Sequence, residues 1–295
     1  MRIIIVTRKT SYEKIIEELH TDTAARFDLK MKGSSIDVYI AEHDVYKNSV
    51  ELIRRSIPSS ISVAQVERDE LFRFTFFDTD LIIACGPDGL LINLAQYITV
   101  QKVITVNPDP TRVSGVLMLF KPEEISKLVT KEEYVCHELT LAKAVVNDDS
   151  KKVVYALGDI FFGRVDQSSA FYNIKFGGDG VDHISSGVII TTGAGSTGWF
   201  SSIKGMIGRL SSGVQRQAPS LESKSLHFIT RELFAPQNGK FEYGVINQLP
   251  LVIRSSMPTG GIVFSDGMTD KGLPLLAGDV VVVSQAERTL SLVRK

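Results

Sequence analysis

Three glycine-rich segments hold the side chains best spaced for chemistry. The first, Gly86-Pro87-Asp88-Gly89-Leu90, follows a short apolar run and opens a helical pattern. In a parallel α/β sheet the carboxyl ends of the strands line the ligand crevice. Free N–H groups at a helix start attract phosphate there. A carboxylate at such a point suits a metal or a proton in transit; the plainer reading makes Asp88 a helix cap. The second, Gly177-Gly178-Asp179-Gly180, lies between strand-like runs, where Asp-Gly is an ordinary hairpin signal. The third, Gly193-Ala194-Gly195-Ser196-Thr197-Gly198, matches G-x-G-x-x-G after the run Val188–Thr192.

That third match lacks the setting of a dinucleotide fingerprint. The fingerprint needs a βαβ unit and an acidic residue about 20 positions on. Glu222 lies instead in a polar stretch, and the surroundings are β-rich. What remains is a loop whose amides and hydroxyls, from Thr191, Thr192, Ser196 and Thr197, could bind a nucleotide, or a tight structural turn. Other reaction signatures are missing. No G-x-x-x-x-G-K-[ST] or H-E-x-x-H occurs, the five histidines are scattered, and Ala194 breaks any G-x-S-x-G.

The elements that must position these segments alternate in the first half. Arg2–Thr7 reads as a buried strand, and Thr10 with Glu13 has capping-box spacing before the helical face Tyr12, Ile15, Ile16 and Leu19. A second helix is predicted over Asp44–Ile57, with Tyr46, Val50, Ile53 and Ile57 inward. Strands follow at Ile61–Val66, Leu81–Cys85 and Lys102–Val106, and helices at Leu90–Thr99 and Glu123–Glu133. Pro108, Pro110 and Gly115 mark a long ordered loop. From about residue 135, short β-rich runs dominate: His137–Val146, Lys152–Phe162, Ala170–Phe176, Gly187–Thr192, Ser225–Arg231, Gln248–Ser255, Gly261–Phe264 and Val280–Arg294. One helix is expected from near Thr197 through Ile203 and Ile207, and Ser211–Ser225 reads as a mobile loop.

The fold class expected is therefore α/β plus all-β. An N-terminal, Rossmann-like α/β domain covers 1–135 and an antiparallel β domain covers 136–295, with strands at 275–295 able to pack back on the first. Composition agrees with a globular chain: 295 residues, 43% apolar, 23% charged, formal net charge -1. That balance gives no support for nucleic-acid binding by bulk charge. The two cysteines, Cys85 and Cys136, make neither a disulfide framework nor a cysteine-rich zinc site. No apolar stretch approaches the roughly 20 residues of a membrane span, and the start has no signal-peptide core, so a soluble cytoplasmic protein is expected.

Taken in order, these segments resemble the NAD kinase family, within the superfamily that also holds diacylglycerol kinases and phosphofructokinases. Gly86–Leu90 sits where the family has G-G-D-G-T. Ser185-Ser186-Gly187 through Thr191-Thr192-Gly193-Ala194-Gly195-Ser196-Thr197-Gly198-Trp199 is similar to its D-G-x-x-x-[ST]-T-P-T-G-S-T-A-Y. Asn107-Pro108-Asp109-Pro110 with Gly115 resembles its Asn-containing loop, Ala156-Leu157-Gly158-Asp159 its A-L-N-E, and Ser265-Asp266-Gly267 its late D-G motif. The loop and the Ser-Ser-Gly variant look closest to the mitochondrial-type branch. The resemblance runs from about Leu81 to the C-terminus.

What the resemblance implies is an active site between the two domains that moves the γ-phosphoryl of ATP to the 2′-hydroxyl of the adenosine ribose of NAD. It implies ATP, NAD and Mg²⁺ as ligands and a homodimer or homotetramer; the charge balance and the lack of a long apolar stretch add the expectation of no nucleic-acid or membrane partner. Asp88 would be the catalytic carboxylate. Gly89, Asn107, Asp109, Asp159, Thr191, Thr192, Gly195, Ser196, Thr197, Trp199 and Asp266 would bind the nucleotides. The metal ligands stay unassigned. Pro87 and Leu90 depart from G-G-D-G-T, and Gly158 and Asp159 depart from A-L-N-E. The phosphate frame is thus kept while the acceptor grip is altered. Two other readings stay open: a kinase of this fold acting on another hydroxyl (sugar, nucleoside or lipid), and a non-catalytic dinucleotide-binding protein.

Overall fold

The computed structural model describes residues 2–131, 133–210, 218–234 and 240–295. The chain divides into two compact units, Met1–His137 with Ser291–Lys295, and Glu138–Leu290.

The first unit is a parallel sheet with helices. β1 (Arg2–Thr7) leads to α1 (Ser11–Leu19), α2 (Asp22–Met31) and α3 (Asp37–Arg55), then β2 (Ser62–Glu67), β3 (Leu81–Cys85), α4 (Asp88–Leu94), β4 (Lys102–Val106) and α5 (Ile125–Leu128). The strands run β2-β1-β3-β4, all parallel. β3 is apolar and buried at every position, as a central parallel strand covered on both faces must be. Tyr46, Val50 and Ile53 of α3 pack on Ile3, Ile5, Ile83 and Ile104. The Thr10–Glu13 capping box forms as expected.

Several boundaries differ from expectation for identifiable reasons. α2 was not anticipated because it buries only Ala25 and so shows no apolar stripe; Thr21 caps it, its hydroxyl accepting the Ala24 N–H. α3 starts at Asp37 rather than Asp44. The predicted helix over Leu90–Thr99 is instead α4, ending at Leu94, and the Gln101 side chain then takes the N–H groups of Thr99 and Val100. The expected Glu123–Glu133 helix is one 3-10 turn followed by the four residues of α5.

The second unit is a two-sheet β structure. It contains β5 (Cys136–Val146), β6 (Val153–Ala156), β7 (Asp159–Arg164), β8 (Ala170–Phe176), β9 (Asp179–Ser185) and β10 (Val188–Thr191). After α6 (Trp199–Leu210) come β11 (Leu226–Thr230), β12 (Tyr243–Ile246), β13 (Leu251–Ser255), β14 (Gly261–Ser265), β15 (Leu273–Leu275) and β16 (Val280–Val293). One sheet has the order β12-β11-β10-β7-β14-β15; the other carries β16-β13-β8-β9 with β5 and β6. Their facing sides share one core, with Ile160, Phe162, Ile190 and Phe228 against Tyr172, Ile174 and Ile253. Phe200 of α6, with Trp199 and Ile203 beside it, covers the opposite face of the first sheet through Phe161, Ile189, Ile229 and Phe264. Within the first unit, Ser291 and Leu292, from the end of β16 that belongs to it, pair in parallel with Lys102 and Val103 of β4.

The run Lys152–Phe162 is two strands, because the chain turns at Leu157-Gly158 from β6 in one sheet to β7 in the other. β9 was missed, since its Asp, Gly and His residues read as loop. The hairpin before it turns on Gly177-Gly178, at φ +64° and +96°, so Asp179-Gly180 belongs to the strand rather than to the turn. The Ser211–Ser225 loop begins in residues 211–217, outside the described residues. Among the described residues no helix is long and apolar enough to cross a membrane.

Candidate functional site

In the first unit the site gathers at the carboxyl ends of β1, β3 and β4. Gly86 donates its N–H to the Val106 carbonyl at 3.1 Å, which closes the end of β3 against β4. Pro87 occupies the cap position of α4 in extended conformation, without a side-chain cap, and Asp88 is the first helical residue. Asp88 therefore does not cap its own helix. Its carboxylate accepts the N–H groups of Val116 at 3.0 Å and Leu117 at 3.1 Å. It is not a free carboxylate but one tied to the loop that follows β4. Gly115 lies so close that a Cβ there would stand 3.0 Å from an Asp88 oxygen. A Cβ on Gly89 would meet nothing within 4 Å, which leaves open space beside this turn.

Asn107 and Asp109 shape that loop. Asn107 donates from its amide to the Val113 carbonyl at 2.8 Å and accepts the Asp109 N–H at 3.0 Å. Asp109 accepts from the Thr111 N–H and hydroxyl and lies 3.6 Å from the Arg112 guanidinium. Arg8, Glu42 and Tyr46 join Gly86, Pro87 and Asn107 around a cleft of about 430 Å³ that is open to solvent. Arg8 bonds Glu42 at 2.7 Å and keeps its Nε buried without a partner. Arg8 and Glu42 escaped the sequence reading, and Tyr46 figures there only as an inward-facing helix residue, although Arg8 follows directly on β1, where the strand-end rule would have flagged it.

In the second unit three of the quoted segments meet. Asp159 begins β7 and stands opposite Thr191 of β10, which in turn stands opposite His227 of β11. Burial pushes the Asp159 carboxyl up to about 6, opposed in part by the Thr191 hydroxyl. One Asp159 oxygen, Oδ1, is buried without a partner. His227 was not singled out by sequence. Its Nδ1 is 2.6 Å from the Tyr243 hydroxyl, and burial lowers its pKa.

The glycine-serine turn is fastened from within. The Thr192 hydroxyl donates to the Leu157 carbonyl at 2.5 Å and accepts the Gly195 N–H at 3.1 Å. The Ser196 hydroxyl donates to the Gly193 carbonyl at 2.8 Å. Thr191, Thr192 and Ser196 are buried, whereas Thr197 is exposed. A Cβ on Gly195 would fall 2.3 Å from the Gly158 carbonyl oxygen. Trp199 stacks on Phe161, centroids 5.6 Å apart and planes 18° from parallel, and the Arg231 guanidinium sits 5.1 Å from its ring centre. Asp266 turns its carboxylate onto the N–H groups of Leu157, Gly158 and Asp159 at 3.2, 2.9 and 3.0 Å. Burial and the nearby Asp159 push its carboxyl up to about 7 against those bonds.

Among the described residues no three His, Cys, Asp or Glu side chains converge as a metal cage. A magnesium ion is commonly held by one or two carboxylates plus substrate phosphates. Among the described residues no larger protein-built site is present.

An α/β unit followed by a two-sheet β unit of this kind is the fold of NAD and NADH kinases. The chain superimposes on yeast NADH kinase complexed with NADH at a TM-score of 0.61 and 14% identity, over 100% of this chain and 84% of that one. On an NAD kinase from Archaeoglobus fulgidus in complex with ATP the values are 0.59, 16%, 100% and 94%. In sequence it is 32% identical over 125 residues to the mitochondrial NAD kinase 2 of Homo sapiens, which takes in 40% of this chain and 28% of that protein. It is 27% identical over 150 residues to an NAD kinase of Bacteroides fragilis, with coverages of 48% and 51%. The matches thus span 28% of the human relative's length and 51% of the bacterial one's. No protein-family model matches the chain. The resemblance read from the ordered motifs is thereby supported: in both sequence and fold this protein is similar to NAD kinases.

Proposed function

We propose that this protein is an NAD kinase that moves the γ-phosphoryl of ATP to the 2′-hydroxyl of the adenosine ribose of NAD, giving NADP and ADP. The observation that carries the reading is Asp88 at the first position of α4, beside the open space at Gly89, in a chain similar to NAD kinases. The 2′-oxygen attacks the γ-phosphorus, the bond to the bridging oxygen of ADP breaks, and the hydroxyl proton passes to Asp88. Such transfer needs positioning and charge neutralisation more than covalent help. Asp159 and Thr191 would hold the acceptor ribose. Magnesium carried on the donor phosphates would neutralise developing charge. A homodimer or homotetramer in the cytoplasm completes the reading.

The test is NADP formation from NAD, ATP and Mg²⁺, read by an NADP-specific dehydrogenase. Wild type should be active and Asp88→Asn nearly inert; an inactive wild type that still binds NAD rejects the reading. One observation favours the non-catalytic alternative: both Asp88 oxygens are occupied by loop amides. For Asp88 to take a proton or touch a metal, those bonds must be shared or released. Turnover that depends on Asp88 would remove that alternative.

A further inference from the structure

The loop after β4 returns to the strand at its far end. Phe120 gives its N–H to the Thr105 carbonyl at 3.0 Å, and its carbonyl accepts the Asn107 N–H at 2.9 Å. Among the described residues, the stretch 114–118 before it is hydrogen-bonded by side chains alone. Asp88 accepts the N–H groups of Val116 and Leu117. The Thr105 hydroxyl donates to the Leu117 carbonyl at 2.7 Å and accepts the Leu119 N–H at 3.1 Å. Leu117 thus has both of its backbone groups held, each by a different side chain.

The two holds differ in kind. Asp88 is half-buried beside the exposed Gly89, within reach of a ligand. Thr105 is fully buried in β4, on the face opposite to Ile104 and Val106, which pack with Tyr46, Val50 and Ile53 of α3. Its hydroxyl uses both its donor and an acceptor position on the loop, away from solvent and substrate. Proton uptake by Asp88 requires that its loop amides be shared or released. A stretch held by Asp88 alone would come loose at that moment, and the reacting groups would lose their fixed geometry.

We propose that Thr105 is a positioning residue of the phosphoryl-transfer site, its hydroxyl keeping Leu117 and Leu119 seated while Asp88 exchanges the loop amides for the acceptor hydroxyl. This rests on the NAD kinase reading. Thr105 touches no substrate and acts through the loop. It therefore serves the chemical step rather than the binding of either nucleotide, and the hydroxyl, not the methyl group, does so.

The experiment compares wild type, Thr105→Val, Thr105→Ser and Ile104→Val by steady-state NADP formation and thermal melting. Thr105→Val keeps the shape and removes the hydroxyl. Its kcat should fall about tenfold, with KM for NAD and for ATP changed by less than about twofold. Thr105→Ser, which restores the hydroxyl, should return kcat to within about threefold of wild type. Ile104→Val trims the same strand on its other face, and should lower the melting temperature without lowering kcat. An unchanged kcat in a folded Thr105→Val overturns the proposal. So does a Thr105→Ser no better than Thr105→Val, or a kcat that falls in step with melting temperature in Ile104→Val as well, which is what a merely structural role produces. If Thr105→Val does not fold, Thr105→Ala must show the same selective loss of kcat or the proposal falls. Melting of Asp88→Ala, Thr105→Val and the double variant reads the shared loop without turnover: the shifts should be non-additive, and additive shifts overturn the proposal. Wild type that makes no NADP rejects the kinase reading, and the melting cycle still decides whether Thr105 and Asp88 hold one loop.

Discussion

Asp88 and Leu117 are joined by a hydrogen bond of 3.1 Å, from the amide of a loop residue to the carboxylate at the start of α4. With the companion bond from Val116, it makes the anchor of the loop after β4 the same carboxylate that the proposed reaction uses to take up a proton. Asp88→Asn keeps one oxygen able to accept from the loop but cannot take up a proton. NADP formation should fall about a hundredfold or more, while the melting temperature moves only a few degrees. Coupled assay and thermal shift on the same preparation check both parts. A large fall in melting temperature would mean that the anchoring role dominates.

Asp159 and Asp266 set a pH dependence. Their carboxyls are pushed up to about 6 and about 7, above the ordinary 3.8. The folded protein thus holds these protons more tightly than the unfolded chain. Their contribution to stability is fully present below about pH 4 and is lost as pH rises through 6 to 7. Asp159→Asn has no such carboxyl to charge, so its stability should be flatter across pH 5 to 8 and about 1 kcal/mol higher than wild type at pH 8. Melting temperature against pH for the two proteins measures this. Parallel curves would count against the raised carboxyl at Asp159.

Two glycines in the motifs should behave oppositely. A Cβ at Gly195 would collide with the Gly158 carbonyl and stand 2.7 Å from the Thr191 hydroxyl. Gly195→Ala should cost about 2 kcal/mol or more, since neither backbone can yield cheaply. At Gly89 a Cβ meets nothing, so Gly89→Ala should fold normally and raise only the KM for ATP. Denaturant melts and substrate titrations of both variants separate packing from ligand approach. A normally stable Gly195→Ala would show that the turn is looser than its contacts indicate.

Arg2 and Asp80 form an ion pair at 2.6 Å in which the Asp80 side chain is fully buried. Asp80 also accepts the Phe77 N–H at 2.8 Å, and the pairing with Arg2 helps hold its carboxyl below the usual range. Asp80→Ala leaves the Phe77 amide unpaired and the guanidinium with only the Thr75 carbonyl, and should destabilise the protein by about 2 kcal/mol. In wild type this contribution is present above the ordinary carboxylate range and is lost as pH falls. Urea denaturation at pH 7 and pH 3 should show the gap between wild type and Asp80→Ala shrinking in acid.

Much of this architecture was readable from local pattern. Apolar runs such as Leu81–Cys85, the Thr10–Glu13 box, and the α3 face of Tyr46, Val50 and Ile53 appear where periodicity places them, because burial on one face or both leaves a mark on neighbouring residues. Elements without such a mark were lost or misplaced: α2, with one buried residue, and the polar β9. The order of the glycine-rich segments was likewise legible, and so was the family resemblance they carry.

What each motif residue touches was settled in three dimensions. Asp88 reads as a free carboxylate or a cap, yet its partners lie in a loop that returns alongside β4. Asp266 reads as a ligand contact, yet it closes a corner between two sheets whose residues precede it by more than a hundred positions. A sequence states which donors and acceptors a chain possesses, because residue type alone decides that. Which donor meets which acceptor depends on how strands far apart in the chain are brought side by side, and only the folded backbone sets that distance.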